Sequence, residues 1–131
     1  MKLVLDTHIF LWTVFDDRKL GKRTREVLDA TSSELWLSPV SLWEAMILDR
    51  DGKLELLPNP LRWARDTLAA FPFREAPLIH EVALRSREIQ LPHADAADRF
   101  LAATAAVYDL TLVTSDERLL AGSGYAVIAN E

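Results

Sequence analysis

The stretch "KLVLDTHIFLWTVF", Lys2 to Phe15, decides the fold. Its first four residues are a short apolar run that stops at Asp6, which reads as a buried strand; "HIFLWTVF" then continues as a helix. A buried strand leading straight into a helix is half of a parallel-sheet unit, because parallel strands need crossovers and those are usually helical.

The rest of the chain repeats this pattern. The polar "DDRKLGKR" breaks the first helix, and a second is expected near Thr24 to Ala30. "ELWL", Glu34 to Leu37, predicts another strand, running into "SPVSLWEAMIL", where Ser38 is placed as an N-cap, Pro39 as the first helical residue and Gly52 as the stop. Asn59 and Pro60 repeat the cap-plus-proline signature before "LRWARDTLAAF", so a helical hairpin follows. "FREA" predicts a short strand, "LIHEVALRSREI" an amphipathic helix ended by Pro92, and Asp95 to Tyr108 the longest helix. "TLVTSDERLL" gives strand, turn and short helix, and "YAVIA" a closing strand. The expected fold is an α/β sandwich with a central, mostly parallel sheet plus the helical hairpin, in one domain over residues 1–131.

Composition sets the outer limits. Of 131 residues half are hydrophobic, enough for one ordinary core. No run approaches the roughly 18 apolar residues of a membrane span, and the apolar start lacks a small-residue cleavage site, so a cytoplasmic protein is expected. Without cysteine there is no disulfide, thiolate zinc site or cysteine nucleophile, and any metal must bind oxygen or imidazole. A net charge of −5 argues against holding nucleic acid through an overall positive field, but a local site with bound cations can invert the sign.

The carboxylates stand in unusual company. Asp6 ends the first strand, and Glu44 lies within one helical turn of Val40, Ile47 and Leu48, on an apolar stripe. Asp98 has Leu101, Ala102 and Ala105 as its i+3, i+4 and i+7 neighbours, a small-residue face suited to packing close to a sheet. Asp95 lies one turn before it. Asp116 follows "TLVTS" and so, like Asp6, falls just past the carboxyl end of a parallel strand, the edge where open α/β sheets form sites.

Each acid also has a plain structural reading. Asp95 and Asp116 can be N-caps; Glu44 and Asp98 can sit in ion pairs, with Arg99 or Arg85 as partner. Acids converging on one edge would raise one another's pKa unless something positive lay among them. A hard divalent cation, Mg²⁺ or Mn²⁺, supplies that charge and prefers carboxylate oxygen.

The remaining candidates read as structural. His8 and His93 lack a second histidine at metal-ligand spacing and are assigned to the surface or to hydrogen bonding, and His80 to a helix surface. Trp12, Trp36, Trp43 and Trp63 are assigned to core and interface. Lys19, Lys22, Arg23 and Arg25 read first as a solvated helix face, with phosphate positioning as the functional reading.

Four blocks together resemble the PIN-domain ribonucleases, in particular the VapC toxins of bacterial and archaeal toxin–antitoxin pairs: "LVLDTHIFLW", "SPVSLWEAMILDRDGKLEL", "LPHADAADRFLAATA" and "LTLVTSDERL". They occur in the family's order and cover most of the chain. The resemblance implies an α/β/α sandwich, dependence on Mg²⁺ or Mn²⁺, endonucleolytic cleavage of RNA to a 5′-phosphate and 3′-hydroxyl, homodimers, and a small antitoxin that blocks the site. It maps the acidic site onto Asp6, Glu44, Asp98 and Asp116, and places Thr7, Thr114 and Ser115 where relatives carry hydroxyls near the metal. Asp95 falls where many relatives carry an aspartate before proline, but Ala96 follows here. Two other classes compete: a phosphohydrolase with Asp6 as nucleophile, which would want aspartate where His8 stands, and a PIN-like module acting through partner binding alone.

Overall fold

A computed structural model of the chain describes residues 1–15 and 18–131. Asp16 and Asp17, part of the expected break after the first helix, lie outside the described residues. The elements run β1 (Lys2–Leu5), α1 (Thr7–Phe15), α2 (Lys22–Asp29), β2 (Glu34–Leu37), α3 (Pro39–Arg50), α4 (Pro60–Ala70), β3 (Arg74–Glu75), α5 (His80–Ser86), α6 (Ala96–Val107), β4 (Thr111–Thr114), α7 (Glu117–Ala121) and β5 (Ala126–Ala129).

The five strands form one sheet in the order β3-β2-β1-β4-β5, and every pairing is parallel. The expected "mostly parallel" sheet is therefore parallel throughout. β1 is its centre, with Leu5 in register with Val113 of β4. Alternation along the strands divides the core in two. Leu3, Leu5 and Val113 pack with Ile9, Phe10 and Leu11 of α1, Leu28 of α2 and Trp63 of α4 on one face. Val4 and Leu112 pack with Val82 of α5, Leu101 and Ala102 of α6 and Leu119 of α7 on the other. The result is the α/β/α sandwich, and it explains why these strands read as unbroken apolar runs: both faces are covered.

The caps fall where the sequence puts them. Ser38 Oγ accepts from the Val40 amide at 3.1 Å and Asn59 Oδ1 from the Arg62 amide at 3.0 Å, each ahead of a helix that begins with proline. α3 ends at Arg50, and Gly52 adopts φ 74°, a left-handed conformation that glycine takes at little cost. α3 and α4 touch, as the helical hairpin requires. Among the described residues no helix is long and apolar enough to cross a membrane.

One helix is shorter than expected. The amphipathic pattern from Leu78 to Ile89 forms a helix only over His80–Ser86. Beyond it, the Arg99 guanidinium donates to the carbonyls of Ser86 (3.1 Å) and Ile89 (3.0 Å), and Gln90 pairs with Ser123 in an antiparallel bridge. The chain thus satisfies its backbone through a side chain and a distant strand-like contact instead of another helical turn.

Candidate active site

Four segments bring their acids to the carboxyl edge of the sheet. Asp6 follows β1 directly; its Oδ1 accepts from the Ile9 amide at 2.9 Å, so it caps α1, and Oδ2 accepts from the Thr114 hydroxyl at the end of β4. Glu44 reaches in from the second turn of α3 and accepts from the Thr7 hydroxyl, which also lies 3.2 Å from Ser41 Oγ. Asp98 stands in the first turn of α6, and Asp95 caps that helix by accepting the Asp98 amide at 3.0 Å. Asp116 caps α7 through the Arg118 amide at 2.8 Å. The capping readings of Asp95 and Asp116 therefore hold alongside their place in the site.

Asp6, Glu44, Asp95, Asp98 and Asp116 all line one cleft of about 130 Å³, together with Thr7 and Ser115. Thr114 is buried behind it and links two of the acids: it donates to Asp6 and accepts the Asp116 amide at 3.0 Å. This follows from strand register, since pairing Leu5 with Val113 places the next residues, Asp6 and Thr114, side by side.

The acids feel both burial and one another. Asp6, only 6% exposed, has its pKa raised mainly by burial, with Asp98 adding to the rise and the bonds from Ile9 and Thr114 opposing it. Burial is also the first cause of the raised pKa of Glu44, with Asp98, Asp95 and Asp6 contributing, and of Asp98, with Asp95 and Asp116 contributing. Asp116 goes the other way, because the Arg118 guanidinium bonded to it favours its charged form.

The ion pairs differ from those expected. Arg99 is occupied by backbone carbonyls, and Arg85 lies 3.6 Å from Glu88, so neither partners Glu44 or Asp98. The cation at the site is Arg118, 3.0 Å from Asp116 Oδ2 and 4.0 Å from Asp98 Oδ2. Its signal in "TSDERLL" was an arginine two residues past a capping aspartate, close enough to fold back on it. His93 is a second addition: its Nε2 is 2.7 Å from Asp98 Oδ2, and its Nδ1 is buried without a hydrogen-bond partner. The hydrogen-bonding reading of His93 holds, but it is held largely out of solvent rather than on the surface. Trp63 is buried as expected, whereas Trp43 is 57% exposed and lines a groove that shares Glu44 and Asp95 with the cleft.

The donor set suits a hard cation: all the converging acids are oxygen donors, and three are pushed toward protonation by burial and by one another. As they stand, among the described residues no three His, Asp or Glu side chains are close enough together to hold a metal ion. Asp6, Glu44, Asp98 and Asp116 are each turned instead to a hydroxyl, imidazole or guanidinium of the protein.

The raised values have a measurable consequence. For Asp6, Glu44 and Asp98 the folded chain binds protons more tightly than the unfolded one, so stability falls as pH rises through the folded-state values. In EDTA the urea midpoint is expected to increase as pH is lowered from neutral toward about 5, above the ordinary carboxylate range. The increase should be smaller in Asp98→Asn, which removes one of the three groups; equal slopes in the two proteins would refute the coupling.

An all-parallel sheet with acids at its carboxyl edge defines a class of α/β protein with a polar cleft built from strand ends. The PIN domain family model matches residues 3–123, and the chain belongs to the PIN domain family. No curated protein sequence matches the chain. Among solved structures, a chain of VapBC2 from Rickettsia felis bound to a promoter DNA fragment superposes with a TM-score of 0.74 at 14% identity, covering 100% of both chains. A chain of DNA-bound VapBC from Salmonella typhimurium gives 0.69 at 17% identity, covering 98% of each. A chain of FitAB bound to the IR36 DNA fragment gives 0.67 at 23% identity, covering 98% of this chain and 94% of the other. At these identities the likeness establishes the fold.

Proposed function

We propose that this chain is a divalent-metal-dependent endoribonuclease, acting in the cytoplasm as the toxin of a toxin–antitoxin pair. The observation that carries the reading is the convergence of Asp6, Glu44, Asp98 and Asp116 from four segments on one cleft in a PIN-family chain. These four side chains, with Asp95 at the edge, would hold Mg²⁺ or Mn²⁺. Bound there, the ion would activate water for in-line attack on a phosphodiester and offset charge on the nonbridging and leaving oxygens.

The chain's own residues do the positioning. Thr114 and the Ile9 amide hold Asp6, Thr7 holds Glu44 and His93 holds Asp98, so each carboxylate has a neighbouring donor that would steady it as it turned toward an ion. Ser115 lines the cleft beside them. Arg118, paired to Asp116, keeps a guanidinium beside the acids, where it can meet a phosphate once Asp116 is engaged elsewhere. Support for the partner comes from the neighbours, several of which are toxin–antitoxin complexes. An antitoxin that presents a basic side chain to the acidic cleft would compete with substrate there. Exposed Leu78, Ile79 and Leu84 at α5 supply apolar surface for a homodimer.

The test is direct. Purified protein free of any partner should cleave an RNA pool in Mg²⁺ or Mn²⁺, leave 5′-phosphate and 3′-hydroxyl ends, and lose activity in EDTA. Cleavage that persists in EDTA, or products ending in 2′,3′-cyclic phosphate, would overturn the reading.

A further inference from the structure

We infer that Trp43 is the stacking platform for the RNA base next to the scissile phosphate; this rests on the nuclease reading above and names the residue that would grip and select the substrate. Trp43 directly precedes Glu44, so the indole and the carboxylate leave adjacent positions of one helix, α3. With 57% of its surface in water, it is a large apolar ring that the core does not use.

The ring borders a groove of about 410 Å³ that is also lined by Thr7 and His8 of α1, Ile47 and Leu48 of α3, and Ala96 and Ala97 of α6. That volume suits one small-molecule-sized group. The groove is continuous with the acid cleft, because Glu44 and Asp95 line both. A strand that delivers a phosphate to the acids therefore carries its neighbouring base over the groove. The chemistry of the two compartments matches that division. The cleft holds most of the carboxylates, while the groove is mainly apolar, with Glu44, Asp95, Thr7 and His8 as its polar lining, a surface that favours a flat, uncharged ring with a π-face and hydrogen-bonding edges. Alanine at positions 96 and 97 gives α6 only small side chains along the groove.

Two readouts test this. In the first, cleavage of a randomised 12-nucleotide RNA pool in Mg²⁺ is mapped by sequencing the product ends. The wild-type protein should show a base preference at one position flanking the cut, Trp43→Ala should flatten it and lower kcat/KM by roughly 5- to 150-fold, and Trp43→Phe should keep most of both. In the second, fluorescence anisotropy follows binding of a labelled RNA 12-mer, and of the same backbone made abasic, to the Asp98→Asn protein. Adding Trp43→Ala should weaken binding of the intact RNA and leave the abasic strand unaffected. An exposed side chain is dispensable for folding, so thermal melting of Trp43→Ala should match the wild type. An unchanged cleavage profile, or equal loss of affinity for intact and abasic strands, overturns the platform and leaves the nuclease intact. The platform also falls if Trp43→Ala abolishes self-association or capture by a purified protein partner while both RNA readouts stay unchanged. If the wild type cleaves nothing yet Trp43 still governs binding of intact RNA, the platform stands and the nuclease reading alone fails.

Discussion

Asp98→Asn is expected to lower RNA cleavage by about 10³-fold or more while leaving the protein folded. The magnitude follows from the several kcal/mol of transition-state charge stabilisation that a bound cation provides, at 1.36 kcal/mol per tenfold in rate. Asp98 is the acid coupled to most of the others: it raises the pKa of both Asp6 and Glu44 and is raised by Asp95 and Asp116. Asparagine keeps the size and can still bond His93, but it loses the negative charge a cation needs. Because burial and the neighbouring acids disfavour that charge in the absence of an ion, the variant should melt at or above the wild-type temperature in EDTA. Near-normal cleavage by a well-folded Asp98→Asn protein would remove Asp98 from the catalytic set.

Phe10→Ala should carry the largest cost to stability, about 3–5 kcal/mol by urea denaturation. Its ring is fully buried and meets Trp63 and Phe73 edge-on, at centroid separations of 5.9 and 5.6 Å and interplanar angles of 64° and 75°. Removal opens a cavity between α1, α4 and the segment before β3. For a domain whose whole stability is roughly 5–15 kcal/mol, that is a large fraction. Phe15 gives the contrast: it stacks flat on the same Trp63 but is half in water, so Phe15→Ala should cost about 1.5 kcal/mol or less. Similar losses at the two positions would show that the aromatic cluster, not burial, sets the scale.

What the sequence made legible was whatever depends on neighbours in the chain. Short apolar strands, the Ser38-Pro39 and Asn59-Pro60 helix starts and the Gly52 stop are local chemistry, and they appear where expected. Acids isolated among hydrophobes stood out for the same reason, and all five line the cleft. What did not show was partnership across long separations. Arg99 looked like an ion-pair partner for its neighbour Asp98, but its guanidinium reaches back 10 and 13 residues to carbonyls. That bond in turn helps end α5 early, which periodicity alone could not reveal. Trp43 was assigned to core and interface by its helical context; its position in the helix, facing the groove rather than the sheet, depends on where α6 lies.

The hydrogen bond between Asp6 and Thr114 joins the first strand to the fourth across 108 residues. During synthesis Asp6 is made 108 residues before the partner that aligns it, and before Asp116 as well. At about 5–20 residues per second, several seconds separate the two. Through that interval the growing polypeptide carries Asp6 and Glu44 without the rest of their cleft, so the five acids come together only after Thr114 and Asp116 have been made.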